Sequence, residues 1–588
     1  MANRVAITIA GAVSLGSYEA GVTYELLEAL RTYNEGVDAG TIAGEKIYVD
    51  VLTGASAGGM TAAMLAQRLM FDGKSMQGEF TNPLYYAWVQ RVDIRELVDL
   101  QPDEKPWHSL LSSDLIETIG KEMLEDSMLP DKQLSGPHAV VECNGTVPLP
   151  ISLGLALTNL NGVDYMLGVE GNSDDGFNYT SSLDQMLFPE VKPTDRDNRA
   201  MWAKLRHAAV ACGAFPAAFR PQQIARNVDC YGTPLPPKPA KPEPGKTYVD
   251  WGDKPNPAPF AYADGGILQN QPLGIAKNFV DARVQQASLD GRVDAYRLAD
   301  DRLYTLISPN AVKSTVSKGL VADSTTIACE LVELFHTYLR QAAFHDWITA
   351  EGMNTKIHLL DARARQLADK IMDGSVVLEP LEAAAGELNH LLLGANTATT
   401  LARLRAQYAD EYSDVLRAKG VQAAETLLGA IATLESAAQL GERDLMKIVA
   451  VIADGRTELA GSGISAFAGF FSREFREHDY WVGRVKTRVY LQRSDVKGIL
   501  DVAEWPQEKT WGGADEAGVA AALKNPTSIV KLPLSFRDMM RPGIKSLLYA
   551  IRIRPALLRA AIIVFLLIAG SCVGLAFVIC RLISPLHG

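Results

Sequence analysis

Cysteine and histidine are scarce in this chain of 588 residues, and neither forms a metal-binding pattern. The sequence has 6 cysteines and 9 histidines, without an HExxH pair or CxxC-type spacing. We therefore expect no metal and no cofactor. The cysteines form no disulfide framework either, which indicates a reducing compartment where thiols pack as small buried hydrophobic groups. They are Cys143, Cys212, Cys230, Cys329, Cys572 and Cys580.

Positive charge is also in deficit. The 57 lysines and arginines are outnumbered by 69 aspartates and glutamates, which gives a net charge of −12 and argues against nucleic acid as the main partner. A fixed-period repeat and a strict heptad pattern are both missing, which argues against a solenoid and a coiled coil. Because 47% of the residues are hydrophobic and the chain is too long for one core, we expect two or three domains.

One long apolar run stands near the C-terminus. Ala560 to Cys580 contains no charged residue and is long enough to cross a bilayer, although a buried core helix is the alternative. Three arginines precede the run, whereas only Arg581 and His587 follow it. The positive-inside rule then predicts a single-pass C-terminal anchor with the N-terminal bulk of the chain on the cytoplasmic side of the membrane.

The segment before the apolar run is basic. Between positions 531 and 545 the only acidic residue is Asp538, whereas the basic residues are Lys531, Arg537, Arg541 and Lys545. This basic cluster predicts contact with an anionic membrane surface. Composition thus divides the chain into four parts. They are an N-terminal domain (1–312), a helical accessory domain (313–505), a basic juxtamembrane segment (506–556) and a transmembrane anchor (557–582).

A nucleophile-elbow pattern, Gly54-Ala-Ser-Ala-Gly58, follows an apolar stretch that begins at Val49. In such an elbow a sharp strand-to-helix turn exposes the hydroxyl of Ser56, and the flanking glycines leave room for the backbone. The helix that follows places its positive dipole end beneath the serine. The pattern predicts a nucleophilic serine, and two companion motifs add weight to it.

The first companion is the loop Gly11-Ala-Val-Ser-Leu-Gly16, which links an apolar strand to a helix that begins near Ser17. A loop of this kind points backbone N–H groups outward, which suits an oxyanion hole. A secretory signal peptide is the alternative interpretation of the N-terminus. We favour the loop, because the same strand–loop–helix pattern recurs at the elbow.

The second companion is Tyr262-Ala-Asp-Gly-Gly-Ile-Leu-Gln-Asn-Gln-Pro272. Asp264 ends a short predicted strand, where its carboxylate would accept a proton from the serine. The alternative is an aspartate that caps a turn, which is the commoner role of an Asp-Gly pair.

In this order the three motifs resemble those of the patatin-like phospholipase family, which uses a Ser–Asp dyad without histidine. A fourth segment, Ala211 to Pro221, resembles the family's motif between elbow and aspartate. The resemblance covers residues 1 to 310. It implies a three-layer α/β catalytic domain with a mainly parallel sheet, to which the sequence adds a helical accessory domain and a C-terminal transmembrane helix.

The resemblance also assigns roles. Ser56 would be the nucleophile and Asp264 the general base. N–H groups near Gly11, Ala12 and Val13 would form the oxyanion hole, with Gly54, Gly58, Gly265 and Gly266 as supporting residues. The chain departs from the family loop G-G-G-x-R-G, because Ala12 and Val13 replace two glycines and Leu15 stands where arginine is usual.

The altered loop is similar to that of a bacterial patatin-related subgroup with a long helical C-terminal extension. A second segment, Phe467 to Arg484, resembles one found late in those proteins. Its aromatic residues are expected to pack the extension on the catalytic domain. Its arginines (Arg473, Arg476 and Arg484) would form ion pairs or face lipid phosphate, and we favour packing.

These observations favour a membrane-anchored lipid acyl hydrolase acting on phospholipid or another lipid ester without calcium. Two alternatives remain open. One is a non-enzymatic, membrane-tethered interaction module with a degenerate catalytic domain. The other is a Ser-His-Asp esterase or thioesterase, which would need His478 or His336.

Overall fold

The computed structural model describes most of the chain between residues 4 and 500. The described residues are 4–102, 104, 108–169, 176–235, 243, 245–291, 298, 302–309, 327–438, 446–453, 458–462, 466–497 and 500. The predicted basic segment 506–556 and membrane anchor 557–582 lie outside them. Within this described part, no helix combines the length and apolar character needed to cross a membrane.

A nine-stranded sheet organises the described residues. The strands are β1 (Arg4–Ile9), β2 (Tyr48–Gly54), β3 (Cys143–Asn144), β4 (Val147–Pro148), β5 (Ile151–Leu167), β6 (Phe177–Val191), β7 (Gln222–Arg226), β8 (Thr247–Asp250), β9 (Ala258–Asp264), β10 (Arg302–Ser308) and β11 (Ile448–Ile452). The order across the sheet is β11-β10-β1-β2-β5-β9-β7, and β6 and β8 also pair with β5. Strands β3 and β4 form a separate two-stranded ribbon.

The sheet is mixed, which corrects the prediction of a mainly parallel one. Strands β11, β10, β1, β2 and β5 run parallel to their neighbours along this path. Strands β6, β8 and β9 pair antiparallel with β5, and β7 pairs antiparallel with β9. The physical reason is the length of β5. It has 17 residues and pairs with β2 only over 152–155, so the rest of it is paired by antiparallel strands.

Helices cover both faces of this sheet. The longer helices of the described residues are α1 (Gly16–Asp38), α2 (Ala57–Phe71), α3 (Ser113–Leu124), α4 (Arg199–Cys212), α5 (Leu273–Leu289), α6 (Ile327–Asp373), α7 (Leu378–Leu393), α8 (Thr397–Gln407), α9 (Ala409–Lys419), α10 (Val421–Ala437) and α11 (Arg473–Gln492). Short helical turns cover Pro83–Tyr85, Tyr86–Arg91, Ile94–Leu97 and Ser494–Lys497.

The alternation of buried side chains along β1 explains why the sheet has a hydrophobic core on each face. Val5, Ile7 and Ile9 are buried in one core, whereas Ala6, between them, belongs to a core on the opposite face. The period of two in a strand sends neighbouring side chains to opposite faces. Helices α1, α2, α4 and α11 contribute to the first core, and α5 contributes to the second. The three-layer α/β arrangement agrees with the prediction.

Part of the predicted accessory domain forms a helical bundle with a core of its own, built from the end of α6 and from α8, α9 and α10. Gly374 and Gly394 have φ angles of +79° and +55° and directly follow α6 and α7. Gly420, with a φ of +89°, separates α9 from α10. Tyr408 separates α8 from α9, so three helices lie between Thr397 and Ala437.

After the bundle the chain returns to the catalytic sheet. Strand β11 pairs parallel with β10, so the sheet includes a strand that follows the helical bundle in the chain. Helix α11 packs against α1 at very close range. A Cβ at Gly21 would lie 1.9 Å from the Tyr480 carbonyl oxygen, and one at Gly483 would lie 2.2 Å from the Tyr18 carbonyl oxygen. The end of the described chain thus shares the core of the catalytic domain.

Candidate active site

Ser56 occupies the sharp turn between β2 and α2. Its φ of 53° lies in the left-handed region, as the strained turn of a nucleophile elbow requires. A Cβ at Gly54 would lie 2.3 Å from the Gly58 carbonyl oxygen, and one at Gly58 would lie 2.4 Å from the Ala10 carbonyl oxygen. Both positions admit only glycine, which gives their predicted supporting role a steric reason.

Asp264 ends β9 directly beside the serine. The Ser56 Oγ donates a hydrogen bond of 2.5 Å to Asp264 Oδ2, although the two residues are 208 positions apart. The other carboxylate oxygen, Oδ1, accepts the Gly266 N–H at 2.7 Å. The Asp264 main chain is fixed as well, because its N–H donates to the Ala214 oxygen and its carbonyl accepts the Thr158 hydroxyl. The structure therefore brings the two predicted dyad residues together.

Burial sets the basicity of Asp264. The residue is 1% exposed, and burial raises the pKa of its carboxyl group to about 7, although the Ser56 hydroxyl and the Gly266 N–H partly oppose this rise. An ordinary aspartate, with a pKa near about 4, would be too weak a base at neutral pH. Asp264 therefore combines a raised pKa with a direct hydrogen bond from the serine hydroxyl.

Two glycines after Asp264 let the chain turn beneath the dyad. A Cβ at Gly265 would lie 2.0 Å from the Ala156 carbonyl oxygen, and one at Gly266 would lie 3.0 Å from Asp264 Oδ1. The Cys212 thiol packs under the elbow, 3.9 Å from the Gly54 carbonyl oxygen. Burial, and then the charge of Asp264, raise the pKa of this thiol well above its usual range. Cys212 therefore stays neutral and does not compete as a nucleophile.

The predicted oxyanion loop lies against Ser56. A Cβ at Gly11 would be 3.1 Å from the Ser56 Cβ and 2.5 Å from Asn270 Nδ2. The Gly11 N–H donates to the Asn270 carbonyl oxygen at 3.0 Å, so this group, one of three predicted for the hole, is already engaged. The N–H groups of Ala12 and Val13 have no backbone acceptor among the described residues. They are the groups left to bind an oxyanion.

Val13 has an unusual conformation for its type. Its φ is +52°, and a β-branched residue is rarely found in the left-handed region. Val13 stands where the family loop has glycine, so the residue that best tolerates this angle is missing here. The strain must be balanced by contacts elsewhere.

The late segment Phe467 to Arg484 packs on the catalytic domain, as favoured from the sequence. The Phe467 and Phe215 rings meet edge to face at 5.8 Å. Arg476 and Arg484 are buried, and Arg484 pairs with Glu25 at 2.8 Å. Arg473 pairs with Glu477 at 2.8 Å on the surface.

The histidines of a Ser-His-Asp triad are not assembled at this site in the described structure. His478 Nε2 shares a 2.9 Å hydrogen bond with the Glu458 carbonyl oxygen. The Ser56 hydroxyl is bonded directly to Asp264, which leaves no intervening imidazole. The side chain of His336 lies outside what the structure describes. The geometry supports a dyad.

Sequence reasoning missed two residues of the site. Asn270, which had no assigned role in the motif from Tyr262 to Pro272, accepts the Gly11 N–H through its carbonyl oxygen, and its Nδ2 lies 3.4 Å from the Gly11 oxygen. Thr158 donates to the Asp264 carbonyl at 2.8 Å, and no local spacing marks it. The cysteine prediction was also partly wrong, because Cys143 and Cys230 are exposed rather than buried.

The part of the chain that carries these motifs also matches a known protein family. The model of the family described as Patatin-like phospholipase matches residues 7–277. This range contains the loop, the elbow and Asp264, so the resemblance drawn from the motifs is confirmed.

One curated relative is the "Uncharacterized protein y4iI" of Sinorhizobium fredii (strain NBRC 101917 / NGR234). It is 25% identical over 333 residues, which cover 47% of this chain and 45% of the relative. The chain thus spans under half the length of this relative, whose description names no activity.

Proposed function

The chain carries a patatin-like phospholipase domain over residues 7–277, and from this premise we propose that it hydrolyses lipid acyl esters, as a phospholipase or lysophospholipase does. The hydrogen bond of 2.5 Å between Ser56 Oγ and Asp264 Oδ2 is the observation that carries the proposal. It joins a serine in an elbow to a buried carboxylate whose pKa is about 7. This pairing is what an activated serine nucleophile needs.

The first half of the reaction acylates the serine. Ser56 Oγ attacks the ester carbonyl carbon while its proton passes to Asp264 Oδ2. The N–H groups of Ala12 and Val13 stabilise the oxyanion of the tetrahedral intermediate. When the intermediate collapses, the bond to the alcohol oxygen breaks, and Asp264 returns the proton to the departing alcohol.

The second half releases the acid. Asp264 takes a proton from water, and the resulting nucleophile attacks the acyl carbon. The ester bond to Ser56 Oγ then breaks, the serine recovers its proton from Asp264, and a free fatty acid leaves. One water is consumed for each ester cleaved, and the enzyme returns to its initial state.

A small apolar cleft lies beside helix α2, which begins at the elbow. One of its wall residues, Met60, is one helical turn from the nucleophile, because the Met60 N–H donates to the Ser56 carbonyl oxygen at 3.2 Å. The cleft has a volume of about 50 Å³. Its walls are Met60, Met64, Ala87, Trp88, Val92, Ile116, Ile119, Gly120, Met123, Leu124, Ala209 and Val210. Three of these are methionines, whose flexible side chains can repack around an entering chain.

We further propose that residues 557–582 anchor the chain in a membrane and that the basic segment 506–556 contacts anionic lipid. The support comes from the uncharged run and the basic cluster before it. Anchoring would place the site beside its substrate and raise the local lipid concentration.

Fatty-acid release from mixed phospholipid vesicles tests the proposal. We expect release by the wild type and none by the Ser56→Ala variant at equal vesicle binding. Labelling with a fluorophosphonate should occur at Ser56 in the wild type only, because such probes react with activated serines. Vesicle binding without release or labelling would instead favour the non-enzymatic module.

Two controls address the remaining expectations. Replacing His478 with Gln, whose side-chain N–H can keep the hydrogen bond to the Glu458 carbonyl oxygen, should leave the turnover measured after correction for folded protein unchanged. A Ser-His-Asp enzyme using His478 as its base would lose turnover in this variant. EDTA should not affect release. Loss of activity with EDTA, restored by calcium, would contradict a calcium-independent reaction.

A further inference from the structure

The oxyanion loop is not held by its own domain alone. Residues 458–462 and 466–492, here called the C-terminal clamp, reach it from the far end of the described chain. Ser14, which follows the strained Val13, is 1% exposed. Its hydroxyl donates to the Ala466 carbonyl oxygen and accepts the Gly469 N–H at 3.1 Å.

The clamp approaches Ser14 closely. A Cβ at Gly469 would lie 2.7 Å from Ser14 Oγ, so only glycine lets the clamp backbone come this near the Ser14 side chain without a shift. A second contact involves the next residue of the loop. A Cβ at Gly461 would lie 2.9 Å from Leu15 Cδ2, and Leu15 is 3% exposed. Leu15 replaces the family's arginine, and its apolar side chain packs beneath the clamp.

The clamp is itself rigidly fixed. Buried Arg476 donates through Nη1 to the Gly469 carbonyl oxygen at 2.9 Å and through Nε to the Val89 carbonyl oxygen at 2.9 Å. Buried Asp479 accepts the N–H groups of Ala460 and Gly461 at 2.7 and 2.8 Å. Both residues lie on α11, which packs on α1. The oxyanion loop leads directly into α1, which begins at Gly16.

We propose that the C-terminal clamp is a working part of the oxyanion hole. Through Ser14 it holds Val13 in the left-handed conformation in which the N–H groups of Ala12 and Val13 have no backbone acceptor among the described residues and can bind the oxyanion. Ser14 is thus a positioning residue, and the late segment of the chain takes over the role that glycines have in the family loop. This inference rests on the proposed serine-hydrolase function.

Ser14→Ala in the full chain is the central variant, because it removes both hydrogen bonds and little volume. Ser127→Ala is the matched control. The Ser127 hydroxyl is also bonded to two groups, Met123 O at 2.6 Å and Gln67 Oε1 at 3.0 Å, but these belong to α3 and α2, away from the loop.

Three readouts apply to each variant. They are the rate of Ser56 labelling by a fluorophosphonate, kcat and KM for a neutral short-chain ester, and hydrogen exchange of a peptide covering residues 10–18. For Ser14→Ala we expect kcat and the labelling rate to fall about tenfold, which is less than the loss of about 10²- to 10³-fold for a deleted oxyanion donor, because both N–H groups remain in the chain. KM should change less than about twofold, because the substrate's ground state gains little from the hole. Exchange should become faster in this peptide.

Rescue separates positioning from general stability. Val13→Gly permits the left-handed angle without strain. The double variant Ser14→Ala/Val13→Gly should therefore recover much of the lost rate, which a merely structural defect would not allow. Ser14→Ala behaving like Ser127→Ala in rate and exchange would overturn the proposal, and so would a rate loss that Val13→Gly does not relieve.

The exchange readout keeps the two proposals distinguishable. Absence of both labelling and turnover in the wild type would refute the serine-hydrolase function. Exchange near the loop would then still decide whether the clamp holds it. Faster exchange in Ser14→Ala alone would support the hold, and unchanged exchange would refute it.

Discussion

The elbow and the oxyanion loop each contain a residue in the left-handed region, but different contacts support the two residues. Ser56 and Val13 both lie in the left-handed region, with φ angles of 53° and 52°. Around Ser56 the support is local, because Gly54 and Gly58 let the turn close tightly. Beside Val13 the support comes from Ala466, which lies 452 positions from Ser14. A strained site can thus be maintained by its neighbours in sequence or by a distant segment.

The largest effect is expected at the elbow. In Gly54→Ala the new methyl group would lie 2.3 Å from the Gly58 carbonyl oxygen and 2.5 Å from its carbon, and this backbone cannot move without displacing Ser56. We expect kcat/KM for ester hydrolysis to fall by about 10³-fold or more, as when catalytic geometry is lost. Steady-state kinetics on folded protein measures this.

Gly386→Ala is the control for the elbow variant. Gly386 lies within α7, and a Cβ there meets nothing within 4 Å. This replacement should leave activity unchanged and raise the free energy of unfolding by about 0.5–1 kcal/mol, because alanine is the better helix former. Equal activity losses in both variants would show that the elbow glycines have no special role.

A smaller effect is expected for Gly11→Ala, at the border between elbow and loop. The added methyl group would meet Asn270 Nδ2 at 2.5 Å and the Ser56 Cβ at 3.1 Å. A side chain yields more easily than a backbone, so we expect a loss in kcat of about 10- to 100-fold. Adding Asn270→Ser should restore part of the rate, since it removes the nearer clash. A loss as large as that of Gly54→Ala would erase the distinction between the two regions.

The same contrast explains which parts of the molecule could be predicted from sequence. The elbow, Asp264 and the glycines around them follow from short spacings, because local backbone geometry dictates the residue type. No short spacing in the sequence marks the C-terminal clamp. The contact between Ser14 and Gly469 joins segments 455 positions apart, and β11 extends the sheet from beyond a helical bundle. The mixed sheet was missed because nothing in its composition reveals the length of β5.

The pH dependence of activity should be set by the Ser56–Asp264 dyad and not by the oxyanion loop. Asp264 must be ionised to accept a proton, and burial raises its pKa to about 7. Activity should therefore fall about tenfold per pH unit below pH 7 and reach a plateau above it. The measurement is kcat/KM against pH on an uncharged ester. Ser14→Ala should lower the plateau and keep the midpoint, whereas a shifted midpoint would mean that the loop also sets the basicity of Asp264.

The smallest effect is expected for Val13→Gly alone. Glycine removes the cost of the left-handed angle, which for other residues is about 1–2 kcal/mol, but it also gains entropy in the unfolded chain. We expect the free energy of unfolding to change by no more than about 1 kcal/mol, as measured by urea denaturation. With the clamp intact, kcat should stay within about twofold, because Ser14 still fixes the loop. A tenfold loss would show that the valine side chain, and not the clamp, holds the loop in place.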